Sequence, residues 1–293
     1  MSEWSTPVSR RGFLKWILGG GAVGAVSLLS GAVYVTKVEP RWIEVVRVDV
    51  PIRGLPAPLQ GFTIAQLSDF HVGPHVKAED VHRAVELANE LGPDLVVLTG
   101  DYVYESALHS AACAGELAAL KAEHGVHAIL GNHDFWTDAD VVAANLRQAG
   151  LDVLRNEHRQ LQVGGADPST RSGHSLWLVG IEDVWSGKPD LEAALDGVPQ
   201  GAPTVLLAHE PDFADRATGR GITLQLSGHS HGGQVRLPFV GAPILPYLAH
   251  KYPYGLRRVG EMWLYTNRGI GLVAPPVRFL CRPEITLLRL QAL

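Results

Sequence analysis

Two kinds of apolar pattern alternate along the chain. Short, mostly apolar runs, Phe62–Leu67, Asp94–Thr99, Val126–Leu130, Leu176–Ile181, Thr204–Ala208 and Ile222–Leu226, each stop at a polar residue or a glycine. Strands buried on both faces read this way. Between the early runs the apolar residues recur at helical spacing: Ala78–Leu91 places Val81, Val85, Leu87 and Ala88 near one face, Ser106–Lys121 is rich in Ala and Leu, and Asp138–Ala149 opens with the acidic residues that suit a helix amino terminus. After Gly233 the segments Gln234–Leu237, Glu261–Tyr265 and Glu284–Arg289 read as further strands. The pattern predicts an α/β protein with sheets packed together and flanked by helices. From about Val45 onward no Gly/Ser linker, repeat or long charge run interrupts it, so residues 41–293 are expected to form one domain behind an amino-terminal segment, residues 1–40.

That segment has a different character. Arg10 and Arg11 stand before Phe13, Leu14 and Lys15, and an uncharged run rich in Gly, Ala, Val and Leu extends from Trp16 to Val35. A charged region followed by an apolar one is the anatomy of an export signal. Ser9–Lys15 resembles the twin-arginine signal, which implies translocation of an already folded protein by the twin-arginine machinery. An ordinary signal or a single membrane helix is the other reading, since residues 16–35 are long enough to span hydrocarbon. No clear cleavage site follows Ser30, Gly31 and Ala32, which favours an uncleaved anchor with the rest of the chain on the outer face of the cytoplasmic membrane, or in the periplasm or extracellular space.

The formal charge is −5, from 25 Lys and Arg against 30 Asp and Glu, and beyond residue 35 it is −7. No global basic field exists to hold a nucleic acid, and none is expected as a partner. Cys113 and Cys281 are too few for a disulfide framework or a four-cysteine zinc site; they form one bridge or remain two buried thiols. The 13 histidines matter only where they cluster with carboxylates, and five do.

Each apolar run delivers a metal-capable side chain at its end: Asp69 and His71, then Asp101, then Asn132 and His133, then His209, then His229 and His231. In α/β sheets the carboxyl ends of strands are where sites form. The ordered blocks Asp69-Phe70-His71, Gly100-Asp101, Gly131–Asp134, His209 and Gly228–His231 resemble the signature of the calcineurin-like binuclear metallophosphoesterases. The longer string Gly228–Val235, with Asn267–Gly271 and Pro283–Thr286, is similar to the bacterial branch of small exported or membrane-associated phosphodiesterases, which includes UDP-2,3-diacylglucosamine hydrolase-like enzymes; Thr266-Asn267 departs from the usual Val-Ser. The resemblance implies a four-layer α/β/β/α sandwich and two divalent metal ions. It places Asp69, His71 and His231 on one ion, Asn132, His209 and His229 on the other, and Asp101 between them. Oxygen and imidazole donors without thiolate suit manganese, iron or zinc, with manganese the expectation. A hydroxide shared by the ions would attack phosphorus while their charge neutralises the phosphoryl oxygens.

Three catalytic candidates lie outside that ligand set. His133 is expected to donate to a phosphoryl oxygen or protonate the leaving group. Asp134 either orients the His133 ring or caps a helix. Arg268 either reaches the substrate phosphate as a bidentate donor or pairs with a carboxylate at a turn. The apolar stretch Leu237–Tyr254, broken by four prolines at 238, 243, 246 and 253, is expected as a loop beside the site, exposed as a lipid-facing lip or laid over the sheet. The expected function is hydrolysis of a phosphodiester or pyrophosphate, lipid- or nucleotide-linked. A phosphomonoesterase and a non-catalytic metal-binding envelope protein are the alternatives.

Overall fold

The computed structural model describes residues 27–164 and 175–293. Two six-stranded sheets face one another. The first has the order β1 (Glu44–Ile52), β12 (Glu284–Ala292), β2 (Thr63–Leu67), β3 (Leu95–Thr99), β4 (Val126–Ile129) and β5 (Asp152–Val153). The second has the order β10 (Gly255–Val259), β11 (Met262–Thr266), β9 (Leu224–Ser227), β8 (Thr204–Leu207), β7 (Ser175–Gly180) and β6 (Glu157–Gln162). Both are mixed: β2 to β5 run parallel and β12 opposes β2, while β7, β8, β9 and β11 run parallel between antiparallel β6 and β10.

Alternation along the strands builds three apolar layers. Leu95 and Val97 point into the space between the sheets, where they meet Leu178, Val205, Leu207 and Leu226. Val96 and Leu98, their neighbours in sequence, face outward onto the helices Ala78–Glu90, Ser110–Leu117 and Ala139–Gln148 through Val81, Val85, Leu117 and Leu146. Beyond the second sheet, Val179, Leu206 and Leu264 pack on the short helices Leu191–Leu195 and Ala214–Ala217. A period of two puts successive residues on opposite faces, so a strand covered on both sides is mostly apolar, with the buried amide nitrogens of Gln66 and Gln225 donating hydrogen bonds. The result is helices, sheet, sheet, helices.

The structure departs from the sequence pattern in two places, at Gln234–Leu237 and at the edge strands. Gln234–Leu237 is not a strand: it follows a 3-10 turn at His231–Gly233, Gln234 has a left-handed φ of 55°, and its pairing is confined to isolated bridges from Val235 to Phe279 and from Leu237 to Gly241. The edge strands β1, β6 and β10 carry charged residues on an exposed face, which hid them from a reading based on apolar runs. Cys113 and Cys281 are two separate buried thiols. The twin-arginine motif and most of the apolar run lie outside the described residues; residues 27–33 are helical and exposed, and among the described residues no helix is long and apolar enough to cross a membrane.

Leu178 is fully buried between the sheets and lies on β7, whose end contributes no residue to the donor groups. Leu178→Ala is expected to lower the unfolding free energy by about 2–5 kcal/mol through lost burial and the cavity left behind, read as a shift of the urea midpoint with the slope unchanged.

Candidate metal centre

The carboxyl ends of five strands meet at one edge of the sandwich. Asp69 and His71 follow β2, Asp101 follows β3, Asn132 and His133 follow β4, His209 follows β8, and His229 and His231 follow β9. The first three ends belong to one sheet and the last two to the other, so the cluster forms only when the sheets pack. Asp69, His71, Asp101, His133, His209, His229 and His231 fall into three groups whose ligand atoms lie within 4.8 Å of one another: Asp69 with His71 and His231, His71 with Asp101 and His133, and Asp101 with His209 and His229. Asp101 belongs to two of them.

The contacts are short. The Nε2 atoms of His71 and His231 are 2.9 Å apart. Asp101 Oδ2 lies 3.2 Å from His209 Nε2 and 3.5 Å from His71 Nε2, and Asp69 Oδ1 lies 3.4 Å from His231 Nε2. His209 uses Nδ1 on the Thr99 carbonyl at 2.6 Å, which leaves Nε2 for the cluster. His229 uses Nε2 on the Tyr247 carbonyl at 2.7 Å, which leaves Nδ1. Outer hydrogen bonds of this kind select the ring nitrogen that a metal would meet.

The backbone is bent to make this possible. Asp69, His71, Asp101, His229 and His231 all have φ between 50° and 67°, in the left-handed region that side-chain-bearing residues rarely enter. Such strain collects at functional sites, where surrounding contacts hold it. Here the backbone N–H of His229 donates to Asp69 and that of His133 donates to Asp101 Oδ1 at 2.8 Å.

Electrostatics leave the cluster short of positive charge. Burial holds the imidazoles of His133, His229 and His231 below their ordinary range and brings His71 down to about 3, so their lone pairs are free near neutral pH. Burial, with the Asp101 charge adding to it, raises the Asp69 carboxyl to about 7. Burial alone would raise Asp101 too, but the neighbouring His209 pulls it well below the usual carboxylate range; in turn Asp101 pushes His209 up against its own burial. Asn132 adds an amide oxygen that is buried without a hydrogen-bond partner among the described residues. Two facing imidazole nitrogens, crowded carboxylates and an orphaned amide oxygen are what a pair of divalent cations would satisfy.

Two of the expected catalytic residues do other work. Asp134 does not touch the His133 ring: Oδ2 accepts from the N–H of Asp101 and of Gly131, both at 2.9 Å, and Oδ1 accepts from Tyr102 N–H at 2.9 Å. It is the helix cap, and it fixes the backbone that presents Asp101. Arg268 is bound by Glu284, and also by Glu44 at 2.8 Å, so its guanidinium is neutralised beside the site instead of facing a phosphate. Asn267 takes a structural place, donating to Thr286 Oγ1 and accepting from Gly269 N–H.

Sequence reasoning missed an aromatic rim. His133 lies between Tyr104 and Trp136, with ring centroids at 5.2 and 4.7 Å, and Trp136 leads on through Trp185 to Tyr247. Trp185 is set by a buried carboxyl pair: Glu210 accepts from the N–H of Val184 and Trp185, and burial, with Glu210 beside it, raises Asp183 to about 9. Its position just after β7 was the available signal, but an indole is not a metal donor and was passed over. From the cluster a cavity of about 310 Å³ opens between Trp136 and Trp185 on one side and Pro243, Ile244, Val273 and Pro275 on the other.

The sequence profile of the calcineurin-like phosphoesterases matches residues 62–233, the span from β2 to the turn after the last histidine. The chain belongs to this family. Uncharacterized metallophosphoesterase YkuE of Bacillus subtilis (strain 168) is 36% identical over 288 residues, covering 97% of this chain and 98% of that protein. Phosphodiesterase YaeI of Escherichia coli (strain K12) is 33% identical over 292 residues, covering 97% and 99%. A transmembrane protein with metallophosphoesterase domain from Danio rerio is 34% identical over 254 residues, 83% of this chain and 56% of that protein. As a calcineurin-like phosphoesterase the chain is a metal-dependent phosphoric ester hydrolase, and its clustered donors are candidate ligands for a binuclear centre.

Gly131 lies in the narrowest part of the cluster. A Cβ there would overlap Asp101 Oδ1 and sit 2.7 Å from His209 Nε2. Gly131→Ala is expected to lower the metal content of the purified protein below one equivalent, measured by plasma mass spectrometry, although glycine offers no ligand and the far-ultraviolet spectrum should be unchanged.

Proposed function

We propose that the protein is a binuclear metal-dependent phosphodiesterase of the cell envelope. The observation that carries the reading is the meeting of three donor groups, two of them sharing Asp101, from the ends of both sheets. Asp69, His71 and His231 would hold one ion, Asn132, His209 and His229 the other, and Asp101 both, with manganese the best fit to the donors and iron or zinc next. When bound, such a pair supplies positive charge to phosphoryl oxygens and acidifies water. The chain's own residues then position and discriminate. His133 is half-buried at the cavity wall and held neutral by burial, so its N–H suits hydrogen bonding to a phosphoryl oxygen better than protonation of a leaving group. Tyr104 and Trp136 fix its ring. A phosphodiester is favoured by the name of the Escherichia coli relative and by a cavity whose apolar wall can take a second substituent on phosphorus.

The finer reading concerns place and substrate. The twin-arginine motif and the run from Trp16 to Val35 support export of a folded chain that stays attached to the outer face of the cytoplasmic membrane. The Gly228–Val235 string supports kinship with exported enzymes similar to UDP-2,3-diacylglucosamine hydrolases, and with it a lipid- or nucleotide-linked diester or pyrophosphate as substrate.

Two experiments test this. With manganese, bis-p-nitrophenyl phosphate should be hydrolysed faster than p-nitrophenyl phosphate; the reverse order would replace the diesterase with a monoesterase. Asp101→Asn should lose metal and turnover together, whereas His133→Asn should keep two metals per chain and lose roughly 10²–10⁴-fold in turnover. That loss should be equal for nitrophenolate and alkoxide leaving groups, and a larger loss with alkoxides would make His133 the general acid. Separately, Arg10→Lys with Arg11→Lys should leave folded protein in the cytoplasm; unchanged export would remove the twin-arginine reading.

A further inference from the structure

The loop that follows His231 is exposed where an apolar loop is least comfortable. The turn Leu237–Gly241 is closed by hydrogen bonds from Gly241 N–H to Leu237 O at 2.9 Å and from Leu237 N–H to Gly241 O at 2.8 Å. At its tip Phe239 is fully exposed with a left-handed φ of 65°, and Leu237, Val240, Ile244 and Tyr247 around it are exposed as well. Water is a poor solvent for such a patch, and a single-chain protein rarely keeps one without a use.

Two further observations point to one occupant. The first is charge. From Gly228 to Gly260 the chain carries Arg236, Lys251, Arg257 and Arg258 and not one Asp or Glu, in a protein whose formal charge is −5. Lys251 is paired with Asp215 from outside the stretch, while Arg236 stacks on Tyr254 at 3.7 Å and Arg257 is exposed, neither with a carboxylate partner among the described residues. The second is continuity with the amino-terminal segment. Arg236 N–H donates to Phe279 O at 2.8 Å, and Arg278 N–H donates to Val35 O at 2.9 Å. The root of the lip, the turn bearing exposed Leu280, and the end of the apolar run from Trp16 to Val35 are therefore laced side by side. Arg282 completes this border by stacking on exposed Trp42 at 4.1 Å.

Exposed apolar and aromatic tips framed by unpaired arginines match the interface of an anionic bilayer, where rings enter the headgroup boundary and cations meet lipid phosphates. We infer that the Leu237–Tyr247 lip is a membrane-docking surface that inserts at Phe239 and Val240 into an anionic lipid face and turns the mouth of the metal-centre cavity toward it. The cavity wall at Pro243 and Ile244 is the inner side of the same loop, so a docked lip would give an apolar group a path from lipid to the donor cluster. This inference rests on the envelope placement proposed above, but its test does not require turnover.

The two native cysteines are fully buried, so a thiol-reactive environment-sensitive dye can be directed to Phe239→Cys in the full chain. Leu293→Cys is the control: that residue is exposed at the end of β12, which runs antiparallel to β2 and so ends away from the site. On vesicles of phosphatidylglycerol and phosphatidylcholine the dye at 239 should shift to the blue and be quenched by brominated lipid, and the shift should shrink in high salt and on phosphatidylcholine alone. The dye at 293 should not respond. A dye at 239 that stays water-like on anionic vesicles, or an equal response at 293, overturns the proposal. So does a blue shift that follows protein concentration without vesicles, which would make a second copy of the chain the occupant. Hydrolysis of bis-p-nitrophenyl phosphate by the Phe239→Cys protein should match the parent. If neither protein turns over while the dye inserts, the hydrolase reading fails and the docking surface stands.

Discussion

Asp101 is the point on which the structure turns. Its carboxylate lies 3.2 Å from His209 Nε2 on one sheet and 3.5 Å from His71 Nε2 on the other, and it also accepts the His133 backbone N–H. A buried charge of this kind is costly unless every side of it is answered. Imidazoles answer it in part, and a divalent cation would answer the rest. Asp134 contributes from behind by holding the N–H groups of Asp101, Tyr102 and Gly131, so one buried carboxyl positions the backbone of the other. Burial and the Asp101 charge raise Asp134 to about 7, which fits a group whose work is structural and whose charge is unwelcome.

The apolar layers exist to make that arrangement rigid. Leu95 and Val97 lock the sheets together while Val96 and Leu98 lock the helices on, and β3 delivers Asp101 at the end of that doubly held run. The left-handed residues at Asp69, His71, Asp101, His229 and His231 are tolerable only against such a frame, since each costs of order 1–3 kcal/mol. Glycines at 131 and 228 admit the close approach of side chains that a Cβ would push away. Stability built in the core is thus spent at the strand ends.

Around the centre the surface changes character. His133 is clasped by Tyr104 and Trp136, the cavity continues between aromatic and aliphatic walls, and the outer rim becomes an apolar lip bordered by arginines in an otherwise acidic protein. One loop, Leu237–Tyr254, supplies the His229 anchor at Tyr247, the cavity wall at Ile244 and the exposed tip at Phe239. Chemistry and access to the centre therefore depend on the same segment.

The doubly buried strands were readable in the amino-acid order alone, because a strand covered on both faces is apolar at nearly every position; exceptions such as Gln66 and Gln225 are buried and hydrogen-bonded. The same order also marked the strand ends, because a polar residue that closes such a run has to emerge at the sheet's edge. Asp69, His71, Asp101, Asn132, His133, His209, His229 and His231 were legible as strand-end residues for that reason, while their division into metal ligands and His133 rested on the family resemblance. The edge strands were not legible, since their exposed faces tolerate charge; β1, for example, runs through Glu44, Arg47 and Asp49. The facing of side chains that several partners could satisfy was set by packing between segments. Asp134 turned to three backbone N–H groups and not to the adjacent imidazole, and Arg268 turned to Glu284 and Glu44, distant in sequence, and not to a phosphate. Likewise Trp185 joined the rim only because the Asp183–Glu210 pair folds its loop inward. Strand ends follow from periodicity, which is local; the partner of a polar side chain follows from which segments are packed against it, and those come from remote parts of the chain.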